Sequence, residues 1–387
     1  MIDRASHRGR APGAVIALVP SRGSGGGIEA YVGTVLQAIK GTPWDLHVLV
    51  LAANGGQPST VRKSALGLKV ARLIASRKLR SLSAVRILCF HPGLVPVAGL
   101  VAIALGSRAS VATFFYGAEI WTAKARDRLL WRRYGGRLIT ISSFSAGALS
   151  ELGNACVLPP GIDETAYHAL RSLPIIRRQT SEPLHLLSVF RLGDFVDKGG
   201  EVIVEAVERL RGAGYSVDVT FAGTRPTQRG PMTRATVGRP WIQVVEGPSA
   251  SELHALYEGS DLFVLATRTR SERPPTGEGF GIVLVEAALA GLATVAPAFG
   301  GSDDAFIENV TGLKPADQSV GALEQTLRWV IDRPEDRARL ASNGRQWASA
   351  MFDPERHRTR IRAVLLEESD DVPGAVYLRL APRSSSG

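Results

Sequence analysis

Short runs of consecutive apolar residues, rich in Val, Ile, Leu and Phe, recur along the chain between stretches whose apolar positions repeat at helical spacing. Residues 14–20 (AVIALVP), 46–52 (LHVLVLA), 86–90 (RILCF), 111–115 (VATFF) and 137–142 (RLITIS) read as strands buried on both faces. Helices are predicted between them at about 27–40, 60–80, 94–105, 123–133 and 143–151. Strands and helices that alternate in this way imply a doubly wound parallel sheet.

The segment 158–163 (LPPGID) interrupts the alternation with two prolines and a glycine, and a polar stretch follows to residue 183. An interdomain hinge is expected here. The pattern then restarts with strands at 184–190, 216–223, 241–245, 261–266 and 293–297, and helices at about 199–212 and 249–258. A helical region at 321–351 and a further helix in 352–368 complete the chain before a tail ending PRSSSG. The predicted organisation is an α/β chain of two Rossmann-like doubly wound domains, 1–165 and 166–352, followed by a C-terminal segment, 353–387. Two such domains joined by a hinge leave a cleft, and open α/β sheets bind ligands at the carboxyl ends of their strands.

Composition agrees with that plan. At 387 residues the chain is long for one core, and 45% hydrophobic with 21% charged residues is ordinary for a soluble α/β protein. The two cysteines, Cys89 and Cys156, have no metal-ligand spacing and point to a reducing compartment. The most apolar stretch, 94–105, is too short to span a bilayer, which needs about 20 residues. The N-terminus lacks the apolar core of a secretory signal. A cytoplasmic location is expected.

Charge is uneven: the net +10 resolves into +13 over residues 1–171 and −3 over the remainder. In 61–82, Arg62, Lys63, Lys69, Arg72, Arg77, Lys78 and Arg80 are interleaved with Val, Leu and Ile. Such a helix can lie on an anionic membrane, here the inner face of the plasma membrane, or can be an ordinary solvated face. Nucleic-acid binding is the other use of a basic surface, but no recognition motif or aromatic platform accompanies it.

Three stretches carry candidate chemistry. After the first strand, PSRGSGGGIEAY places Gly26 and Gly27 where a helix begins, and free N–H groups there attract anions. The loop is neither a Walker sequence nor a clean GxGxxG, and a plain flexible turn has the same composition. After the strand at 184–190, FRLGDFVDKGG sets Arg191 and Lys198 at a sheet's carboxyl edge, where two cations can hold a diphosphate or simply be solvated. The third stretch is PPTGEGFGIVLVEAALAGLATVAP, at 274–297. Glu278 falls on a Gly-rich loop beside Gly279, Phe280 and Gly281, and Glu286 falls about a turn and a half inside the following helix. A carboxylate at a helix mouth can accept hydrogen bonds from sugar hydroxyls, and one further along can accept them from a ribose diol. The alternatives are a helix cap for Glu278 with a buried cation partner for Glu286, or a glycoside-hydrolase acid pair. The acid pair leaves the glycines and cations without a role.

Taken in order, these segments resemble the retaining, GT-B-fold glycosyltransferases of the family 4 type, also called glycosyl transferases group 1. EGFGIVLVE matches that family's Glu-x7-Glu signature, and FRLGDFVDKGG…VEAVERL its Arg…Lys-Gly segment. GSGGGIEAY resembles its first Gly-rich loop, and ISSFSAGAL…VLPPGID and AFGGSDDAFIENVTG resemble two further passages, so that the likeness runs over residues 15–351. The resemblance implies that Arg191 and Lys198 bind the diphosphate of a nucleotide-sugar, that Glu278 with the backbone of Gly279, Phe280 and Gly281 positions the donor sugar, and that Glu286 binds the ribose. It implies that Gly26 and Gly27 face the donor phosphates or the acceptor, and that the C-terminal helix crosses back to the first domain. Many relatives have HGxExW where this chain has YGAEIW, so Tyr116, with Glu119 and Trp121 following, stands where histidine is usual. Tyr116 can replace only the hydrogen bonding of that histidine; His91, at the end of the preceding strand, is the other candidate.

The reaction implied is transfer of a hexose from a nucleoside-diphosphate sugar to an acceptor hydroxyl with retention, in polysaccharide or glycolipid assembly. The acceptor class stays open among a glycan, a lipid-linked sugar and a small molecule. No Asp-x-Asp sequence occurs, so neither a metal nor another cofactor is expected. A GT-B-fold epimerase or phosphorylase is the alternative within the same fold.

Overall fold

A computed structural model describes residues 13–21, 27–52, 60–76, 79, 82–175, 183–226, 230–270, 276–297 and 299–366, with 60–66 described for the main chain alone. The chain forms two compact units. The first takes the chain up to Thr140, Ala146–Leu158 and the chain from Arg358; the second takes Ile141–Ser145 and Pro159–His357.

In chain order the first unit is built from β1 (Gly13–Ser21), α1 (Gly27–Lys40), β2 (Asp45–Ala52), α2 (Thr60–Ala75), β3 (Ala84–Cys89), α3 (Val95–Leu105), β4 (Ala109–Phe115), α4 (Ala118–Trp121), α5 (Ala125–Tyr134) and β5 (Arg137–Thr140). After α6 (Ser143–Ala148), β6 (Ala155–Val157) completes a six-stranded parallel sheet of order β2-β1-β3-β4-β5-β6. The interior positions of β1 are buried on both faces because helices cover both sides of the sheet. Ile16, Leu18, Ile87, Val95, Ala98 and Trp131 belong to one continuous core. The strand β6 is not foreseen from the pattern. A strand of three residues is too short to establish a period.

The second unit contains α7 (Glu164–Ser172), β7 (Leu184–Val189), α8 (Gly200–Gly212), β8 (Val217–Gly223), α9 (Gly230–Thr236), β9 (Ile242–Glu246), α10 (Ala250–Glu258), β10 (Leu262–Val264), α11 (Ile282–Leu289), β11 (Ala293–Val295) and β12 (Gly312–Leu313). Its six strands are parallel, in the order β12-β11-β10-β7-β8-β9. Local chemistry explains the boundaries. Asp163 accepts from the N–H groups of Thr165 and Ala166 to start α7, and Ser249 and Glu252 form a reciprocal capping box at the start of α10. On α8, Val202, Ile203, Ala206, Val207 and Leu210 face the core while Glu201, Glu205 and Glu208 face solvent.

The expected helical region at 321–351 is two helices, α12 (Val320–Ile331) and α13 (Pro334–Met351). Pro334 has no N–H to continue α12 and instead opens the next helix. The last helix, α14 (Pro354–Leu366), enters the first unit at Arg358. There Arg362 Nε donates to the carbonyl of Ala38 at 2.9 Å, and Arg137 Nη1 donates to that of Val364 at 2.9 Å.

Candidate functional site: the carboxyl edges of the two sheets

In the second sheet, the chain leaves β7 toward β8 and β9 on one side and returns through β10 to β11 and β12 on the other. The loops that follow β7 and β10 diverge at this switch point, the place where open α/β sheets hold ligands. The first of these loops carries Arg191 and Lys198; the second carries Glu278.

The two loops are stitched together. Arg268 N–H donates to the carbonyl of Asp197 at 2.9 Å, and the side chains of Arg270 and Asp197 form an ion pair. Gly199 has φ +71, and a Cβ there would lie 1.9 Å from the carbonyl oxygen of Ala266, so only glycine lets this turn press against the residues after β10. Lys198 is thereby brought to Glu278: Nζ lies 2.7 Å from Oε2, with the two side chains 18% and 16% exposed. The same Oε2 accepts from the Thr267 hydroxyl at 3.0 Å. Burial by itself raises the Glu278 pKa; the Lys198 charge and hydrogen bond, the Thr267 hydroxyl and the Gly279 N–H outweigh it and hold the carboxyl below its ordinary value. The residue is an anion fixed in place.

The loop around Glu278 is supported from behind. Gly301 N–H donates to the Glu278 carbonyl at 2.8 Å, and a Cβ on Gly301 would meet the Gly279 oxygen at 1.9 Å. Gly281 (φ +84), not Glu278, is the N-cap of α11. The helix-cap alternative for Glu278 therefore fails. The Phe280 ring is buried and packs on Phe352 with centroids 6.0 Å apart, leaving only its main chain to face a ligand.

Glu286, on α11, accepts from the Tyr257 hydroxyl at 3.0 Å. Its partner is a phenol, not the cation that the alternative reading requires. Burial raises the Glu286 pKa and the Tyr257 bond partly opposes this, so the two glutamates sit in opposite electrostatic surroundings. Arg191 stands apart from that buried network: its side chain is 70% exposed and pairs with Asp194 at 2.8 Å.

In the first unit, the corresponding edge holds His91 after β3 and Tyr116 after β4. His91 Nδ1 accepts from the Gly93 N–H at 3.0 Å, which places the proton of a neutral ring on Nε2. Burial lowers the His91 pKa, and the nearby Glu119 carboxylate opposes it. Glu119 also accepts from the Tyr116 N–H. Tyr116 itself is 6% exposed, its hydroxyl is buried without a partner among the described residues, and its ring stands edge-on to Tyr31 at 6.1 Å. Burial pushes this phenol well above its ordinary pKa. Gly27 is the first residue of α1, with open space where a Cβ would stand; Gly26 lies outside the described residues.

Sequence reasoning did not single out Thr267, Tyr257 or Tyr31. Thr267 and Tyr257 reach their glutamates from 11 and 29 residues away, with no spacing motif to mark them, and Tyr31, whose hydroxyl donates to the Leu158 carbonyl at 2.9 Å, looks like any aromatic on a helix. A cavity of about 250 Å³ lies at the opposite, amino edge of the second sheet, lined by Tyr257, Asp261, Leu292, Pro334 and Arg337 among others. Apart from Tyr257 it shares no residue with the edge just described.

Residues 175–347 match the family described as Glycosyl transferases group 1. A Mycobacterium tuberculosis glycogen synthase is 30% identical over 240 residues, which cover 62% of this chain and 53% of that protein. A GDP-mannose-dependent alpha-(1-6)-phosphatidylinositol monomannoside mannosyltransferase of Mycobacterium tuberculosis is 27% identical over 253 residues, covering 61% of this chain and 64% of the relative. The chain thus spans about half the length of the first relative and under two thirds of the second. Among solved structures, Anabaena HepE in complex with UDP-glucose superposes with a TM-score of 0.67 at 17% identity, over 91% of this chain and 99% of that one.

The two parallel sheets and these structural likenesses define a GT-B fold. Within it, residues 175–347 are the part of the chain that is similar to the glycosyl transferases group 1.

Proposed function

We propose that the protein transfers a hexose from a nucleoside-diphosphate sugar to an acceptor hydroxyl with retention of anomeric configuration. The observation that carries this reading is the Lys198–Glu278–Thr267 constellation at the switch point of the second sheet, inside the segment that matches the family. A glycogen synthase and a mannosyltransferase among the relatives, and a structural neighbour solved with UDP-glucose, support the same donor class.

The donor diphosphate lies against Lys198, the exposed Arg191 and the main chain of Gly279 to Gly281. As the bond from the anomeric carbon to the diphosphate oxygen breaks, these groups stabilise the charge that grows on the leaving group. The acceptor oxygen bonds to the same face of that carbon, and its proton passes to the departing phosphate oxygen, so the protein supplies no nucleophile. Glu278, kept ionised by Lys198, accepts hydrogen bonds from the sugar hydroxyls, and Glu286 accepts them from the ribose. His91 and Tyr116 are assigned to the sugar or acceptor side. No metal is assigned a role. A thermal-shift screen of UDP-, GDP- and ADP-sugars tests the donor, since a bound ligand raises the melting temperature by mass action. Release of nucleotide that depends on added acceptor separates transfer from epimerisation.

A second element of the proposal concerns the acceptor. The first unit presents exposed Leu100 and Ile103 on α3 and Leu129 on α5, at 68%, 65% and 66%, beside the exposed Arg126, Arg132 and Arg133 of α5. Helices α3 and α5 pack together, so these exposed apolar and cationic groups lie on neighbouring helices, suited to an anionic lipid surface that carries a lipid-linked acceptor. Within α2, only Lys69 and Arg72 of the seven cations noted in the sequence have described side chains, and both are exposed. No helix among the described residues is long and apolar enough to cross a membrane.

A further inference from the structure

Glu286 has one oxygen engaged and one available: Oε2 accepts the Tyr257 hydroxyl at 3.0 Å, and Oε1 accepts no hydrogen bond from the described residues. The Tyr257 ring is 1% exposed and lies nearly parallel to Phe263 of β10, with centroids 6.1 Å apart and planes at 27°. A strand residue at the centre of the sheet therefore fixes the phenol, and the phenol fixes the carboxylate. Burial holds the Tyr257 hydroxyl far above its ordinary pKa, so it remains a donor across the working pH range.

We infer that Tyr257 is a positioning residue for the nucleotide ribose: it holds Glu286 rotated so that Oε1 faces the ribose hydroxyls. This rests on the assignment of Glu286 to the ribose given above. Two features make the arrangement more than packing. A carboxylate with one oxygen tied by a rigid donor loses little side-chain freedom when it binds a diol, which is the general benefit of pre-organisation. The hydroxyl also opposes the upward pull of burial on the Glu286 pKa. Among the described residues, no charged side chain of α7, α13 or β11, the elements packed on α11, adds to these two influences.

The test compares wild type, Tyr257→Phe, Glu286→Gln and the double variant by calorimetric titration with UDP, GDP and ADP and their 2′-deoxy counterparts, from pH 5 to 8. The expected outcome is about a 10-fold or greater loss of affinity for the preferred nucleotide in Glu286→Gln, about 3- to 10-fold in Tyr257→Phe, and a double variant no weaker than Glu286→Gln, since the two act as a unit. The fall of affinity toward acid should begin at higher pH in Tyr257→Phe than in wild type, and the penalty for removing the 2′-hydroxyl should shrink in both single variants. Phe263→Leu, which loosens the ring without touching its hydroxyl, should weaken binding in the same direction by about 2-fold. Unchanged affinity in Glu286→Gln overturns the ribose assignment itself. Loss in Glu286→Gln with wild-type affinity and an unshifted pH profile in Tyr257→Phe overturns the positioning role alone.

Discussion

Lys198 and Glu278, 80 residues apart in the chain, form a largely buried ion pair with Nζ 2.7 Å from Oε2, at the point where the second sheet changes direction. The pair joins the loop after β7 to the loop after β10. In the proposed reaction it sets a cation where a leaving diphosphate needs one and an anion where a sugar presents hydroxyls.

Removing one member of this pair leaves the other as an uncompensated charge. Lys198→Ala should lower transfer by at least about 100-fold and should also destabilise the fold by about 2 kcal/mol, below the range for a fully buried pair because both side chains are partly solvated. The double variant Lys198→Met, Glu278→Gln should recover most of the stability and none of the activity. Urea denaturation monitored by circular dichroism, alongside a donor-turnover assay, separates the two effects.

The two glutamates give opposite slopes of stability against pH. The Glu278 pKa is depressed in the fold, so its contribution is present above the carboxylate's unfolded value and is lost as the pH falls through the folded value. The Glu286 pKa is raised, so its contribution is present below the unfolded value and is lost as the pH rises through the folded value. Stability profiles from pH 3 to 8 should therefore show a shallower acid loss in Glu278→Gln, and in Glu286→Gln a gain near neutral pH that disappears in acid.

Two glycines should respond differently to alanine. At Gly301 the new Cβ would lie 1.9 Å from the Gly279 oxygen, forcing the loop that carries Glu278 to move. Turnover should fall by about 100-fold, the scale expected for a misplaced catalytic group. At Gly27 nothing stands within 4 Å of the new Cβ, so Gly27→Ala should leave the melting temperature unchanged or slightly higher. A loss of donor affinity in that folded variant would mark a close approach by the ligand.

The Tyr116 hydroxyl is buried with no partner among the described residues. An unpaired polar group of this kind costs about 1–3 kcal/mol, so Tyr116→Phe should be as stable as wild type or more so. Turnover should nevertheless fall, because the proposed role of the hydroxyl is a hydrogen bond made only when substrate is bound. Thermal melts and steady-state kinetics on the same preparation check both halves.

The exposed face of α3 and α5 predicts salt-sensitive binding to vesicles containing anionic phosphatidylglycerol and none to neutral phosphatidylcholine. Replacing Leu100, Ile103 and Leu129 with Glu should abolish flotation while leaving turnover of a soluble acceptor unchanged. Flotation that is independent of charge would contradict this part of the proposal.

Most of the architecture was legible because a parallel sheet covered on both faces writes itself as uninterrupted apolar runs, as in β1 and β7. What the pattern missed was short or depended on partners. Strands β6 and β12, of three and two residues, carry no period, and the break before Pro334 is settled by one missing N–H. Candidate groups were legible where spacing marks them, as in the seven residues between Glu278 and Glu286. They were not legible where a partner comes from a distant strand or helix. Nothing near Thr267 or Tyr257 announces that their hydroxyls would end on those two carboxylates. The solvent exposure of Arg191 and the burial of Tyr116 are likewise properties of packing.

The most direct test of the central claim is calorimetric titration of UDP-, GDP- and ADP-glucose and GDP-mannose into wild type and Lys198→Ala. The account predicts that at least one of these donors binds the wild-type protein and that the same donor binds Lys198→Ala at least about 10-fold more weakly. Failure of all of them to bind wild type, or equal binding to both proteins, would contradict it.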